Sequence, residues 1–168
     1  MTDIVKELSA VAAALTQSSD AKALYTAVDH AVKRLVGHKL FTLLVVVNGA
    51  TQVERIYSNE PVAYPLTGRK PMGVTPWSDH VLGGLKPWLG RNAADIRWAF
   101  PDHELIASLG CASCINIPVI RFGTMLGTMN VLDAENAYDE ADVETLKLFA
   151  PVLALPFAEA AQGIDKSA

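Results

Sequence analysis

One pair of segments constrains the fold more than any other: "ASCINIPVI" over residues 112–120 and "TMLGTMNVLD" over 124–133, separated by "RFG". Side chains alternate along a strand, so Ile115, Ile117 and Val119 share one side while Cys114, Asn116 and Pro118 share the other. On the second segment Met125, Gly127, Met129 and Val131 oppose Leu126, Thr128 and Asn130. The pair reads as a central hairpin. For both polar sets to share a face the connection must hold an odd number of residues, and a three-residue loop around Phe122 and Gly123, with Gly123 left-handed, supplies it. Cys114, Asn116, Thr128 and Asn130 then cluster. Small polar side chains in mid-sheet are unfavourable unless hydrogen-bonded or wet, so they require a partner. One reading puts that partner in a cavity roofed by the preceding crossover; in the other, each Asn satisfies loop backbone.

The flanks supply the remaining elements. Ile4, Leu8, Val11 and Leu15 fall at helical spacing in the segment from Thr2 to Leu15, before the break "TQSSD". Asp20 or Ser19 can cap a second helix carrying Leu24, Val28, Val32 and Leu35 on one side, ending near Leu35 or Val36 with Gly37 beyond. "KLFTLLVVV" has the pattern of a strand buried on both faces, and "NGA" turns it into "TQVERIYS". The segment from Asn59 to Arg97 is rich in Gly and Pro, with a short helix at Pro76 to Leu82 capped by Thr75 and a short strand at "KPWLG". "FPDHELIASLG" reads as a short helix closed by Gly110. Asp139 caps a terminal helix, stapled by Tyr138 and Val143, and Pro151 and Pro156 predict a kink or break in it. An antiparallel sheet with the terminal helices on one face accommodates this order.

A chain of 168 residues that is 51% apolar has the length and material for one domain over 1–168. A net charge of -4, with no basic run longer than Arg69-Lys70, speaks against nucleic-acid binding. No apolar run reaches the ~20 residues of a bilayer span and "MTDIVKELS" lacks the charge of a signal sequence, so a cytoplasmic protein with no membrane partner is expected. Two cysteines fit a reducing compartment. In extended chain Cys111 and Cys114 stand ~10 Å apart on opposite faces, beyond the roughly 7 Å Cα separation of a disulfide. His30, His38, His80 and His103 form no short pair that would complete a zinc site. Cys114 is left as a thiol in a pocket wall, either a small buried hydrophobe or a nucleophile.

Tyr57 stands just before the crossover "SNEPVAYPLTGRKPMGVTPWSDHVL", which carries Tyr64, Arg69, Lys70 and Trp77, and "IRWAF" adds Trp98 and Phe100. An aromatic wall with a cation suits a planar anionic ligand, which the rings stack upon and Arg69 holds by two hydrogen bonds. Alternatively the aromatics fill core beneath a long loop and Arg69 pairs with Glu60 or Asp79. His80 and His103 are expected on helix surfaces.

The stretches "FPDHELIASLGCASCINIPV", "GTMLGTMNVLD" and "AYDEADVETLKLFA" together resemble the GAF domain family over essentially the whole chain. The resemblance implies an α+β fold: a central antiparallel sheet of about six strands, terminal helices (2–36 and 139–161) on one face of a core spanning 39–132, and crossover loops and short helices over a ligand pocket on the other. It also implies a sensory or regulatory module for a polar or aromatic small molecule, homodimeric through the terminal helices. No cofactor is identified, and no kinase, cyclase or DNA-binding segment follows the resembling region. The expected ligand-binding residues are Tyr57, Tyr64, Arg69, Trp77, Trp98, Phe100, Cys114, Asn116, Thr128 and Asn130. The chain is also similar in scaffold to free methionine-(R)-sulfoxide reductases, which would make it a Cys114-dependent enzyme on a small oxidised or carbonyl substrate. It departs from them in carrying Cys114, Asn130 and Leu132 at positions matching their acidic residues, and no cysteine in "GRKPMGVTPW". That missing thiol also removes the attachment point of a covalently bound bilin.

Overall fold

The computed structural model describes residues 3–167. Helix α1 (Asp3–Gln17) leads into α2 (Ala21–Leu35); Thr2, where the sequence pattern begins, lies outside the described residues. The Asp20 side chain accepts from the Ala23 N–H to start α2, and Gly37 takes a positive φ just beyond its end. Strands β1 (Leu40–Val47) and β2 (Gln52–Ser58) form a hairpin, and the short β3 (Arg69–Pro71) pairs with β2. A one-turn helix α3 (Pro76–Ser78) continues into a π-helical turn over Asp79–Gly83. Thr75 and Ser78 cap it reciprocally, as the Thr-Pro sequence suggests. Next come β4 (Trp88–Gly90), α4 (Ala93–Ala99), α5 (His103–Ser108), and the long hairpin of β5 (Ser113–Arg121) and β6 (Thr124–Asp133). The chain returns through α6 (Glu140–Lys147), a 3-10 turn at Ala150–Leu153 that accommodates Pro151, and α7 (Ala154–Ser167). The terminal helix is thus broken at Pro151, as the prolines predict, while Pro156 sits in the first turn of α7. Two short elements, β3 and α4, escaped the sequence reading, although Asn92, whose side chain accepts from Ala94 and Asp95 N–H, is a legible start for α4.

The six strands form one antiparallel sheet in the order β3-β2-β1-β6-β5-β4. Phe41, Leu43, Val45, Ile115, Ile117, Val119, Met129 and Val131 point to one face and are buried against residues of both terminal helical regions, including Val11, Val28, Leu146 and Phe157. Gly127 lets α7 seat there: a Cβ would lie 2.0 Å from the Leu44 carbonyl and 2.9 Å from the Phe157 ring. The opposite face carries a smaller apolar cluster beneath α4 and α5 and, beside it, an open recess under the crossover.

Two irregularities decide what faces that recess. The β5–β6 loop has two residues, Phe122 and Gly123, both at positive φ, because Arg121 pairs directly with Thr124. The expected three-residue loop is therefore corrected. The odd residue comes instead from a bulge at Leu126, between the pairs Val119–Gly127 and Ile120–Met125. A two-residue loop with both φ positive matches the strand twist, and the bulge restores the parity that brings Asn116 opposite Asn130. A second bulge leaves Ile56 unpaired between Leu43–Tyr57 and Leu44–Arg55, sending Tyr57 and Arg55 to opposite faces.

Candidate functional site

The recess-facing residues of β1, β6 and β5 form rows across the sheet. Leu40, Leu132 and Cys114 form the first, packed with Ile96, Ile106, Cys111 and Tyr64. The second is polar: Thr42, Asn130 and Asn116. The third is Leu44, Thr128 and Pro118. In the polar row, Asn116 Nδ2 donates to Asn130 Oδ1 at 2.7 Å, and Asn130 Nδ2 reaches the Thr42 carbonyl and hydroxyl at 3.4 and 3.3 Å. From the roof, Trp77 Nε1 donates to Asn116 Oδ1 at 3.0 Å. Roof and floor are thereby joined.

Above this row lies an inner chamber of about 60 Å³, bounded also by Arg55, Tyr64 and Asp102. An outer chamber of about 580 Å³ adjoins it, with Val53, Met72, Leu82 and Pro101 among its walls and Thr128 on its floor. Leu44, Lys70, Trp77, Phe100 and Asp102 line both, so the two chambers lie side by side and share these walls. The outer volume falls within the ~300–1,000 Å³ usual for small-molecule sites. Trp77 and Phe100 stand 5.5 Å apart between ring centroids, making an aromatic wall.

The charged groups sit where the chambers meet. Asp102 Oδ2 accepts from the Tyr64 hydroxyl at 2.9 Å and from Lys70 Nζ at 3.1 Å. Burial pushes the Asp102 carboxyl up, but Lys70 and these two hydrogen bonds outweigh it and hold it below the usual carboxylate range. Burial, and then the charge of Asp102, pushes the Tyr64 hydroxyl well above its ordinary value. Arg55 lies over the Tyr64 ring, 4.8 Å from Cζ to centroid, and burial lowers its pKa.

Of the residues expected from the sequence, Tyr64, Trp77, Phe100, Asn116, Thr128 and Asn130 line the recess. Four do not. Tyr57 lies on the helix face, its hydroxyl donating to Asp29 at 2.7 Å, and burial together with that bond pushes it up to about 12. Arg69 pairs across the strands with Glu54, which accepts from Arg69 Nε at 2.5 Å; its neighbour Lys70 takes the recess side. The pairing partner is thus neither Glu60 nor Asp79. Trp98 is 54% exposed and stacks on Trp88 outside the recess. Cys114 is on the recess face of the sheet but sealed in the apolar cluster. Burial drives its thiol well above the ordinary value and pushes Cys111 up to about 11, so neither offers a thiolate nucleophile at neutral pH. Arg55 and Asp102 were missed. Arg55 follows Val53 by two in "QVERIYS", a visible signal; Asp102, just before a short helix, carries none. Among the described residues no group of three or more His, Cys, Asp or Glu is placed to hold a metal, and no helix is long and apolar enough to cross a membrane.

A family model described as GAF domain matches residues 18–155. The chain belongs to the GAF domain family. Among solved structures, this GAF domain is similar to one from a phosphoenolpyruvate-protein phosphotransferase of Coxiella burnetii, at 16% identity and a TM-score of 0.76 over 96% of this chain and 97% of that one. The GAF domain of a two-component sensor histidine kinase from Bacillus halodurans matches at 14% identity and a TM-score of 0.70, over 85% and 97%. A far-red absorbing dark-state structure with bound biliverdin matches at 15% identity and a TM-score of 0.68, over 96% and 99%. No curated protein sequence matches the chain. At these identities the likenesses establish the fold, whose six-stranded sheet and one-sided terminal helices the GAF resemblance implied.

Proposed function

We propose that this GAF domain is a sensory module that binds a small organic molecule in the two-chambered recess and reports its occupancy to a partner protein in the cytoplasm, as a homodimer joined through the terminal helices. The observation that carries this reading is the recess itself: a large apolar chamber beside a small one floored by hydrogen-bonded amides, a combination suited to an amphipathic ligand. Biliverdin binding by a structure of similar fold supports a ligand role for the scaffold. Exposed Val5 and Leu15 on α1 and Leu155 on α7 support an interface there. A thermal-shift screen of polar and aromatic metabolites tests the ligand role. A true ligand raises the melting temperature in a concentration-dependent way, by about 2.7 kcal/mol of stability at one hundred times Kd. Thr128→Phe, which occupies the outer chamber, should abolish the shift while leaving the unliganded melt nearly unchanged. Failure of every compound to shift the wild-type protein would overturn the reading.

A further inference from the structure

Arg55 is 6% exposed and sits at the wall of the inner chamber. A guanidinium carries five N–H donors. Here Nη1 donates to the Pro65 carbonyl at 2.9 Å, and Nε has no hydrogen-bond partner among the described residues. Asp102, the carboxylate nearest in influence, does not pair with it: the Tyr64 ring lies against Arg55 and the Tyr64 hydroxyl reaches Asp102. A buried cation held without a contacting carboxylate is unfavourable, and the chain makes specific room for this one, since a Cβ on Gly68 would come within 2.9 Å of Arg55 Nη1.

We infer that the recess selects a monocarboxylate, an acid whose one carboxylate enters the inner chamber against Arg55 and whose apolar or aromatic body fills the outer chamber. The inference rests on the recess being a ligand site and specifies the ligand's class. Charge fixes the number of carboxylates. Arg55 and Lys70 against Asp102 leave the lining one positive charge in excess, which a single carboxylate neutralises. A second acidic group would meet Asp102, and a zwitterion would leave the excess standing. Size points the same way. About 60 Å³ is the share of roughly two water molecules, room for a carboxylate head but not for a ring, whereas the outer chamber takes a ring with its chain. Asp102 Oδ1, buried and unpartnered among the described residues, adds an acceptor for a hydroxyl donor carried beside the carboxylate.

Three probes that differ only at the head test this: 4-phenylbutyrate, 4-phenylbutanamide and 4-phenylbutylamine, titrated calorimetrically at pH 7 into the wild-type protein and into Arg55→Met and Gly68→Ala. The acid should bind roughly tenfold to a hundredfold more tightly than the amide, the scale of a charge-assisted hydrogen bond. The amine should bind weakest. Arg55→Met should erase the preference while its melt shows a folded protein, since an apolar side chain of similar length relieves the buried charge. Gly68→Ala, which keeps every charge but crowds the guanidinium, should reduce the preference in part. Equal binding of acid and amide, or retention of the preference in Arg55→Met, overturns the carboxylate assignment and leaves the recess as a ligand site. If none of the three binds while a library compound still shifts the melt, the assignment alone falls; if nothing binds at all, both fall.

Discussion

Asn116 and Asn130 answer to each other before they answer to any ligand. Each amide is nearly sealed from solvent, and Asn116 Nδ2 donates to Asn130 Oδ1. Asn130→Ala therefore strands the Asn116 amide and should cost about 1–3 kcal/mol, measured by denaturant unfolding. Replacing both by Leu removes their mutual donor and acceptor together, so the double variant should lose less stability than the sum of the two single replacements, the remaining loss including the Trp77 N–H left without its acceptor. It should also fail to bind any ligand with a polar head. The thiols give a second residue-scale expectation. Because Cys111 is raised to about 11 in the folded protein against an unfolded value near 8.5, its contribution to stability is intact below pH ~8.5 and fades as the pH climbs toward 11. Thiol reagents at pH 7.5 should label neither cysteine until denaturant is added; rapid native labelling would revive Cys114 as a nucleophile. What was legible at this scale was the polar row, because strict alternation places it. What was not was the choice between neighbours, Arg69 or Lys70 and Tyr57 or Arg55, since one residue of register reverses the face.

Bulges explain that limit at the scale of elements. The hairpin, its inward apolar set and the shared face of Asn116 and Asn130 follow from period-two patterning, yet parity at the hairpin end is set by Leu126 and not by loop length. Nothing in "MLGTM" marks an unpaired residue except Gly127, whose missing Cβ admits the Leu44 carbonyl and Phe157. Gly127→Ala should thus destabilise by about 1–3 kcal/mol or more and loosen α7 first, a change visible as faster amide exchange in that helix. The tip of the same hairpin offers the opposite result. Phe122 holds a left-handed conformation, φ 48°, with its side chain fully in solvent, so it bears the strain of that region with no packing in return. Phe122→Asn, giving the favoured Asn-Gly turn, should stabilise by about 0.5–1 kcal/mol and raise the melting temperature.

For the whole molecule, a layered plan was readable because the order of helices and strands and the two-sided apolar pattern of β1 leave few alternatives. The recess was readable in part: its polar floor and the aromatic side of its roof follow from the strand pattern and the crossover, whereas the charged wall of Arg55 and Asp102 comes from segments separated in sequence and joined only by folding. Assembly is the testable matter at this scale. The proposed dimer should sediment at twice the 18.0 kDa chain mass, and Leu15→Glu with Leu155→Glu should return it to that mass without loss of secondary structure. The sheet itself ends on each side in a strand of only three residues, β3 and β4. Such stubs offer an incoming chain little ladder to extend, which disfavours fibre-like stacking at high concentration and makes the helical side, where the dimer is proposed, the better-suited surface for contact between copies.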